Sequence, residues 1–259
     1  MATYAIADVM STWFDLPKDI SFSFFEQEQL ETLQLSSEYD FLITEMNSNL
    51  VLLECVSGLR KSKYISHQID IDMFVNQQVS SFPASKKSIF SQALGRKTQS
   101  IIDATGGWLG DTLRMCSQNY QVNVFERHWL LQGFATYACE KLAKTEWAIK
   151  NQAPIPKIHK LDAIDALQNN DLKADCVYID PMFPPKRKKS AVVRKSMNIL
   201  HQIVGQDHDA EQLFAAAYDS GATRIVVKRP DYSEPLGAKL VTPSETLSGK
   251  LVRYDVYLR

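Results

Sequence analysis

Apolar and polar positions change rhythm near residue 100. Before that point, Phe41 to Met46 and Leu50 to Val56 are short strand-like runs on either side of Asn47-Ser48-Asn49, residues suited to a hairpin turn. The segment Ser85 to Leu94 has helical spacing and is stopped by Gly95. From Ser100 onward, short apolar runs alternate with helical patterns. The spacing predicts strands at Ile101 to Ala104, Val122 to Phe125, around Ile158, Cys176 to Ile179, Arg224 to Val227 and Val252 to Leu258. It predicts helices at Asp111 to Ser117 and Glu211 to Tyr218, and a long amphipathic one at Trp129 to Leu142. Strand and helix in alternation imply right-handed crossovers and a parallel sheet covered on both faces, with ligands at the carboxyl ends of the central strands. The expected division is a small α+β domain over residues 1–98 and an α/β domain over 99–259.

Composition narrows the class. The chain has 259 residues, 45% of them hydrophobic, with 29 Lys and Arg against 30 Asp and Glu, a length able to bury a sizeable core. No window approaches the roughly 18 consecutive apolar residues of a membrane span, and Lys18 comes too late for the charged start of a signal peptide. A cytoplasmic protein without a membrane partner is expected. Four cysteines without C-x-x-C spacing and five histidines without an H-E-x-x-H pattern argue against a zinc site or a disulfide scaffold, so no metal is expected. The near-zero charge hides an asymmetry. Residues 1–100 hold 8 basic and 12 acidic side chains, and the rest hold 21 and 18, a balance of −4 against +3. Six basic residues fall within Lys186 to Lys195 without an acid, a segment able to touch a polyanion or merely to be solvated.

Two features carry chemistry. Asp103-Ala104-Thr105-Gly106-Gly107-Trp108-Leu109-Gly110-Asp111 is a glycine-rich turn from strand to helix, and Glu126 ends the next strand 23 residues after Asp103. A carboxylate there can accept both hydroxyls of a ribose or can be a solvated strand-end charge. Asp180-Pro181-Met182-Phe183-Pro184 follows another strand. An acid, a proline and an aromatic at a strand end make a rigid corner whose oxygens can accept the two N–H groups of an exocyclic amine while the ring stacks on the heterocycle. A plain proline turn with a buried Phe is the bland alternative. Trp108, Trp129 and Trp147 read as packing residues, and the cysteines as small buried hydrophobes.

The stretches DATGGWLGD, VFER, IHKLDAIDAL, VYIDPMFPPKRKKSAVVRKSM, IVGQDHDAEQL and RIVVKRPDY, in this order over residues 100–258, closely resemble the RsmJ family. Its members are S-adenosylmethionine-dependent guanine-N2 methyltransferases of 16S ribosomal RNA. The resemblance implies an α/β class I methyltransferase (Rossmann-like) fold, a seven-stranded, mostly parallel sheet with helices on both faces and the last hairpin inserted antiparallel. It places cofactor contacts on Gly110, Asp111, Glu126, Arg127, Asp162, Ala163 and Asp180, to which the glycine turn adds Asp103 and Gly107, and Asp162 is chemically suited to accept the adenine amine. Asp180, Pro181 and Phe183 become the catalytic corner. Beside that corner, Lys186, Arg187, Lys188 and Lys189 are placed to hold phosphates of the RNA, free or within the small ribosomal subunit, and Lys228 and Arg229 share the rim as RNA contacts unless one of their charges pairs with Asp231. The chain departs from the family where ATAGLGRD becomes ATGGWLGD, putting Leu109 at a usual glycine and Gly110 at a usual arginine. It also has Asp162-Ala163 for a usual Ser-Ser pair, and lacks the usual Gly-Gly-Arg-Gly stretch of the first domain. A nicotinamide-dependent dehydrogenase, an adenine-N6 methyltransferase and a non-catalytic RNA-binding assembly factor stay open on the residues alone.

Overall fold

The computed structural model describes residues 2–36, 38–56, 63–80, 88–169, 172–182, 199, 202–205, 208–250 and 252–259. Five strands come first: β1 (Tyr4–Ala7), β2 (Phe22–Phe25), β3 (Phe41–Met46), β4 (Asn49–Val56) and β5 (Lys63–His67). They form a mixed sheet in the order β2-β1-β3-β4-β5. The expected hairpin joins β3 to β4 through Asn47 and Ser48, both at positive φ (51° and 56°). Two successive left-handed residues match the twist of the strands they connect.

The second sheet has seven strands: β6 (Ser100–Asp103), β7 (Gln121–Phe125), β8 (Lys157–His159), β9 (Cys176–Ile179), β10 (Arg224–Pro230), β11 (Glu245–Ser248) and β12 (Val252–Leu258). Their order is β11-β12-β10-β9-β6-β7-β8, with β12 antiparallel to both neighbours. The chain runs outward from β6 to β8, then returns to β9 and runs the other way. The carboxyl ends of β6 and β9 therefore flank the point where the crossovers diverge, which leaves a crevice there.

Alternate residues of these strands enter two cores. Ile101, Val124, Tyr178, Val226 and Val256 face one, and Ile102, Val177, Ile225, Val227 and Tyr257 the other. Helices α4 (Gly110–Ser117) and α5 (Trp129–Ala143) cover the first face, and α7 (Ala163–Gln168) and α8 (Ala210–Asp219) the second. Between α5 and β8, α6 (Glu146–Asn151) is capped by Thr145, whose hydroxyl accepts the Ala148 N–H.

Helix α5 departs from the amphipathic expectation. Ten of its 15 residues are buried, because the five-stranded sheet covers the side that the seven-stranded sheet does not. The rings of Tyr4, Phe14 and Phe22 pack edge-on to Trp129 at 5.1–5.8 Å between centroids. A side chain at Gly133 would collide with the Phe14 ring. Lys141 closes the far end, donating to the Ser48 carbonyl (3.0 Å) and pairing with Asp72 (2.6 Å) at the start of α2 (Ile71–Ser80).

Helix α3 (Ile89–Leu94) is capped by the Ser88 hydroxyl, which accepts the Ser91 N–H (3.2 Å), and residues 85–87 of the expected helix lie outside the described residues. Although it precedes residue 98, it packs on the seven-stranded sheet. Phe90 lies edge-on to Tyr178 and Tyr254, and Arg224 donates to the Ala93 carbonyl. Among the described residues no helix is long and apolar enough to cross a membrane, and no group of three His, Cys, Asp or Glu side chains is placed to hold a metal.

Candidate active site

The glycine turn connects β6 to α4 and is fastened from below by Asp103. This carboxylate is 2% exposed, and it accepts the Thr105 N–H (3.1 Å) and the Thr112 hydroxyl. Burial pushes its pKa up to about 6, against those two hydrogen bonds. Gly106 lies against β7, where a Cβ would sit 2.5 Å from Val124 Cγ1. Gly107, at φ +52°, turns its N–H to Glu126 Oε2 (2.9 Å). Leu109 is left-handed at φ 57°, a conformation that costs a branched residue roughly 1–2 kcal/mol. Its side chain is fully buried, and that burial offsets the strain. A Cβ at Gly110 would meet nothing within 4 Å, so the position has room for a larger residue.

Glu126, at the end of β7, is 7% exposed. Its Oε1 accepts the His128 N–H (2.7 Å) and its backbone carbonyl accepts Gln132 Nε2 (2.8 Å), which locks the entry to α5. Burial outweighs these bonds and pushes its pKa up to about 7. Arg127, next in the chain, faces Asp162 (3.3 Å) and Asp209. Asp162 is the N-cap of α7, with Oδ1 accepting the Ile164 N–H at 2.8 Å. The carboxylate expected to face an adenine amine thus also caps a helix and pairs with a guanidinium. Ala163, the first residue of α7, is buried.

Asp180 follows β9 and meets the glycine turn directly, since its N–H donates to Thr105 Oγ1 (2.8 Å). Lys228 on β10 joins two carboxylates, with Nζ 2.8 Å from Asp180 Oδ2 and 2.7 Å from Asp111 Oδ2. Asp111 also accepts the buried Tyr178 hydroxyl (2.6 Å). Burial works against the Lys228 charge, but Asp180 and Asp111 raise its pKa above the ordinary lysine value. Pro181 is buried and Met182 half-buried. Phe183, Lys186, Arg187, Lys188 and Lys189 lie outside the described residues.

The two basic residues of β10 are placed differently. Lys228 pairs with the carboxylates of Asp111 and Asp180. Arg229 is only 8% exposed, on the opposite face of the sheet, where its guanidinium donates to the Glu234 carbonyl. Strand alternation places the two side chains on opposite faces of the sheet, a signal present in the sequence. Hydrogen bonds and ion pairs tie Asp103, Gly107, Glu126 and Asp180 to the glycine turn and join Asp180 to Asp111 through Lys228. The structure adds Thr105, Tyr178 and Asp209, which the sequence reading assigned no role.

Comparison with known proteins bears on family and fold. A family model described as "Putative SAM-dependent methyltransferase" matches residues 27–259. A ribosomal RNA small subunit methyltransferase J of Legionella pneumophila (strain Lens) is 34% identical over 165 residues. That alignment spans 61% of this chain and 62% of the relative, so it covers less than two thirds of the relative's length. A protein of the same name from Shewanella piezotolerans is 31% identical over 253 residues, 92% of this chain and 91% of the relative. The crystal structure of a SAM-dependent methyltransferase from Neisseria gonorrhoeae superposes with a TM-score of 0.66 at 21% identity, covering 99% of this chain and 96% of that one. This likeness bears on the fold, and the expected class I architecture is the one observed.

Proposed function

Because the chain belongs to the ribosomal RNA small subunit methyltransferase J family of S-adenosylmethionine-dependent methyltransferases, we propose that it methylates the exocyclic N2 of one guanosine in 16S ribosomal RNA, free or within the small subunit. The observation that carries the reading is the Asp180-Pro181 corner, tied by Thr105 to the glycine turn and by Lys228 to α4.

The residues suit the cofactor. Glu126 is a buried carboxylate whose pKa is raised by burial, and the two hydroxyls of a ribose would favour its ionised form. Gly106 lets the turn pack closely on β7, and Gly107 at positive φ aims its N–H at Glu126, which holds that carboxylate in place. When bound, S-adenosylmethionine supplies a methyl group made electrophilic by its sulfonium.

The chain's own residues prepare the nucleophile. The guanine amine is weak because its lone pair is delocalised into the ring. Asp180 and the Pro181 carbonyl accept its two hydrogens, which favours a pyramidal nitrogen with the lone pair directed outward. Acceptors that strengthen as positive charge develops act mainly on the transition state. A stacked guanosine must turn out of its stack to reach this corner, and Phe183 replaces part of the lost stacking. Lys186, Arg187, Lys188 and Lys189, next in the chain, hold flanking phosphates.

Incubation with labelled S-adenosylmethionine and small subunits, followed by nucleoside mass spectrometry, should yield N2-methylguanosine. N6-methyladenosine as the product would overturn the assignment of the base. Asp180→Asn keeps the size but offers a donor to a donor, and single-turnover methylation at saturating cofactor should fall about a hundredfold. Near-parental rates in the folded variant would show that the corner is only a turn.

A further inference from the structure

The geometry points to Lys228 as a positioning residue for methyl transfer, one that holds the Asp180 carboxylate ionised and fixed in orientation instead of binding RNA phosphate. This inference rests on Asp180 as the acceptor of the substrate amine. The ammonium lies 2.8 Å from Asp180 Oδ2 and 2.7 Å from Asp111 Oδ2, and both side chains come from other elements. Asp111 is itself held by the Tyr178 hydroxyl at 2.6 Å. Lys228, which reaches Asp180 from a sheet strand, is thereby anchored in turn to Asp111 on the first turn of α4.

The arrangement solves an electrostatic problem. Asp180 and Asp111 share a half-buried site through the Lys228 ammonium. A cation held between two carboxylates favours the ionised form of each. A protonated Asp180 would present an O–H donor to an amine that needs an acceptor. Among the described residues, titratable groups facing the cluster include the Tyr178 and Tyr254 hydroxyls, neutral at this pH, and Arg114 on α4, which acts on Tyr254 from farther off. Lys228 is a cation in direct contact with both carboxylates. Its side chain is 24% exposed and already bonds two anions, which leaves it poorly suited to neutralise a phosphate.

Single-turnover methylation at saturating cofactor and RNA, followed over roughly pH 5–9, tests the role. In Lys228→Met the rate near neutral pH should fall about tenfold or more. The acid limb of the pH profile should move up by about one to three units, the range for loss of an opposite charge at this distance. RNA affinity and its salt slope should stay parental. Lys228→Arg should return the acid limb toward its parental position, and adding Asp111→Asn to Lys228→Met should bring it back down by removing the like charge.

A parental rate and acid limb in Lys228→Met would overturn the inference while leaving Asp180→Asn as an independent test of the corner. Weaker RNA binding with a flatter salt slope, and a parental rate at saturation, would instead make Lys228 a phosphate contact. Should Lys228→Met fail to fold, Asp111→Asn alone decides. Its acid limb should move down, and an unmoved limb would overturn the proposed coupling.

Discussion

Glu126 accepts two backbone N–H groups and still titrates at about 7, above its ordinary 4.5, because burial outweighs them. The folded chain therefore binds a proton more tightly than the unfolded one. Stability contributed by the protonated form is present below about 4.5 and is lost as pH rises toward 7. Ribose hydroxyls would favour the ionised form, so cofactor binding should release a proton and tighten as pH rises through 6 to 7. Calorimetry in two buffers of different ionisation enthalpy measures that release. Glu126→Gln should abolish it and weaken binding by roughly 1.5–3 kcal/mol. Unchanged affinity would place the ribose elsewhere. Asp103, also raised, is covered by Thr105 and Thr112 and should keep its titration on binding.

The turn from β6 to α4 makes a prediction at the scale of an element. Gly106→Ala forces a methyl against Val124 on a buried strand, and overpacking of this kind costs roughly 1–3 kcal/mol. It should lower cofactor affinity too, since Gly107 and Glu126 move with the turn. Gly110→Arg enters open space at the first position of a helix and should leave stability unchanged or slightly higher. Denaturant melts of both variants check the contrast, and equal stabilities would mean that the turn relaxes. Elements with a strong local pattern were legible beforehand. Cys176–Ile179 appears where its unbroken apolar run predicts, and Val252–Leu258 where its alternation does. Strand β11 was not legible, because Glu245–Ser248 is a largely exposed edge segment with no buried face to impose a period. Glu126 and Asp180 could be chosen from strand-end position and composition. The Lys228 bridge could not, because its partners are 48 and 117 residues away and meet only through the sheet order.

For the molecule as a whole, the two sheets share one core through α5. The expected boundary at residue 98 would separate Trp129 and Phe134 from Phe14, and Phe90 from Tyr178. Residues 99–259 expressed alone should therefore aggregate or melt without cooperativity, and extending the piece to residue 88 should restore only the Phe90 contacts. A monomeric 99–259 fragment with a sharp thermal transition would show that the first sheet is an independent appendage. The position of β12 has a further consequence. It comes last in the chain but sits inside the sheet, between β10 and β11. During synthesis at roughly 5–20 residues per second, the edge of β10 facing β12 waits from residue 230 to residue 258, about one to six seconds, before it can be paired. For that interval the nascent protein carries a buried-type strand, Ile225-Val226-Val227, with one side of its backbone open to any other strand it meets.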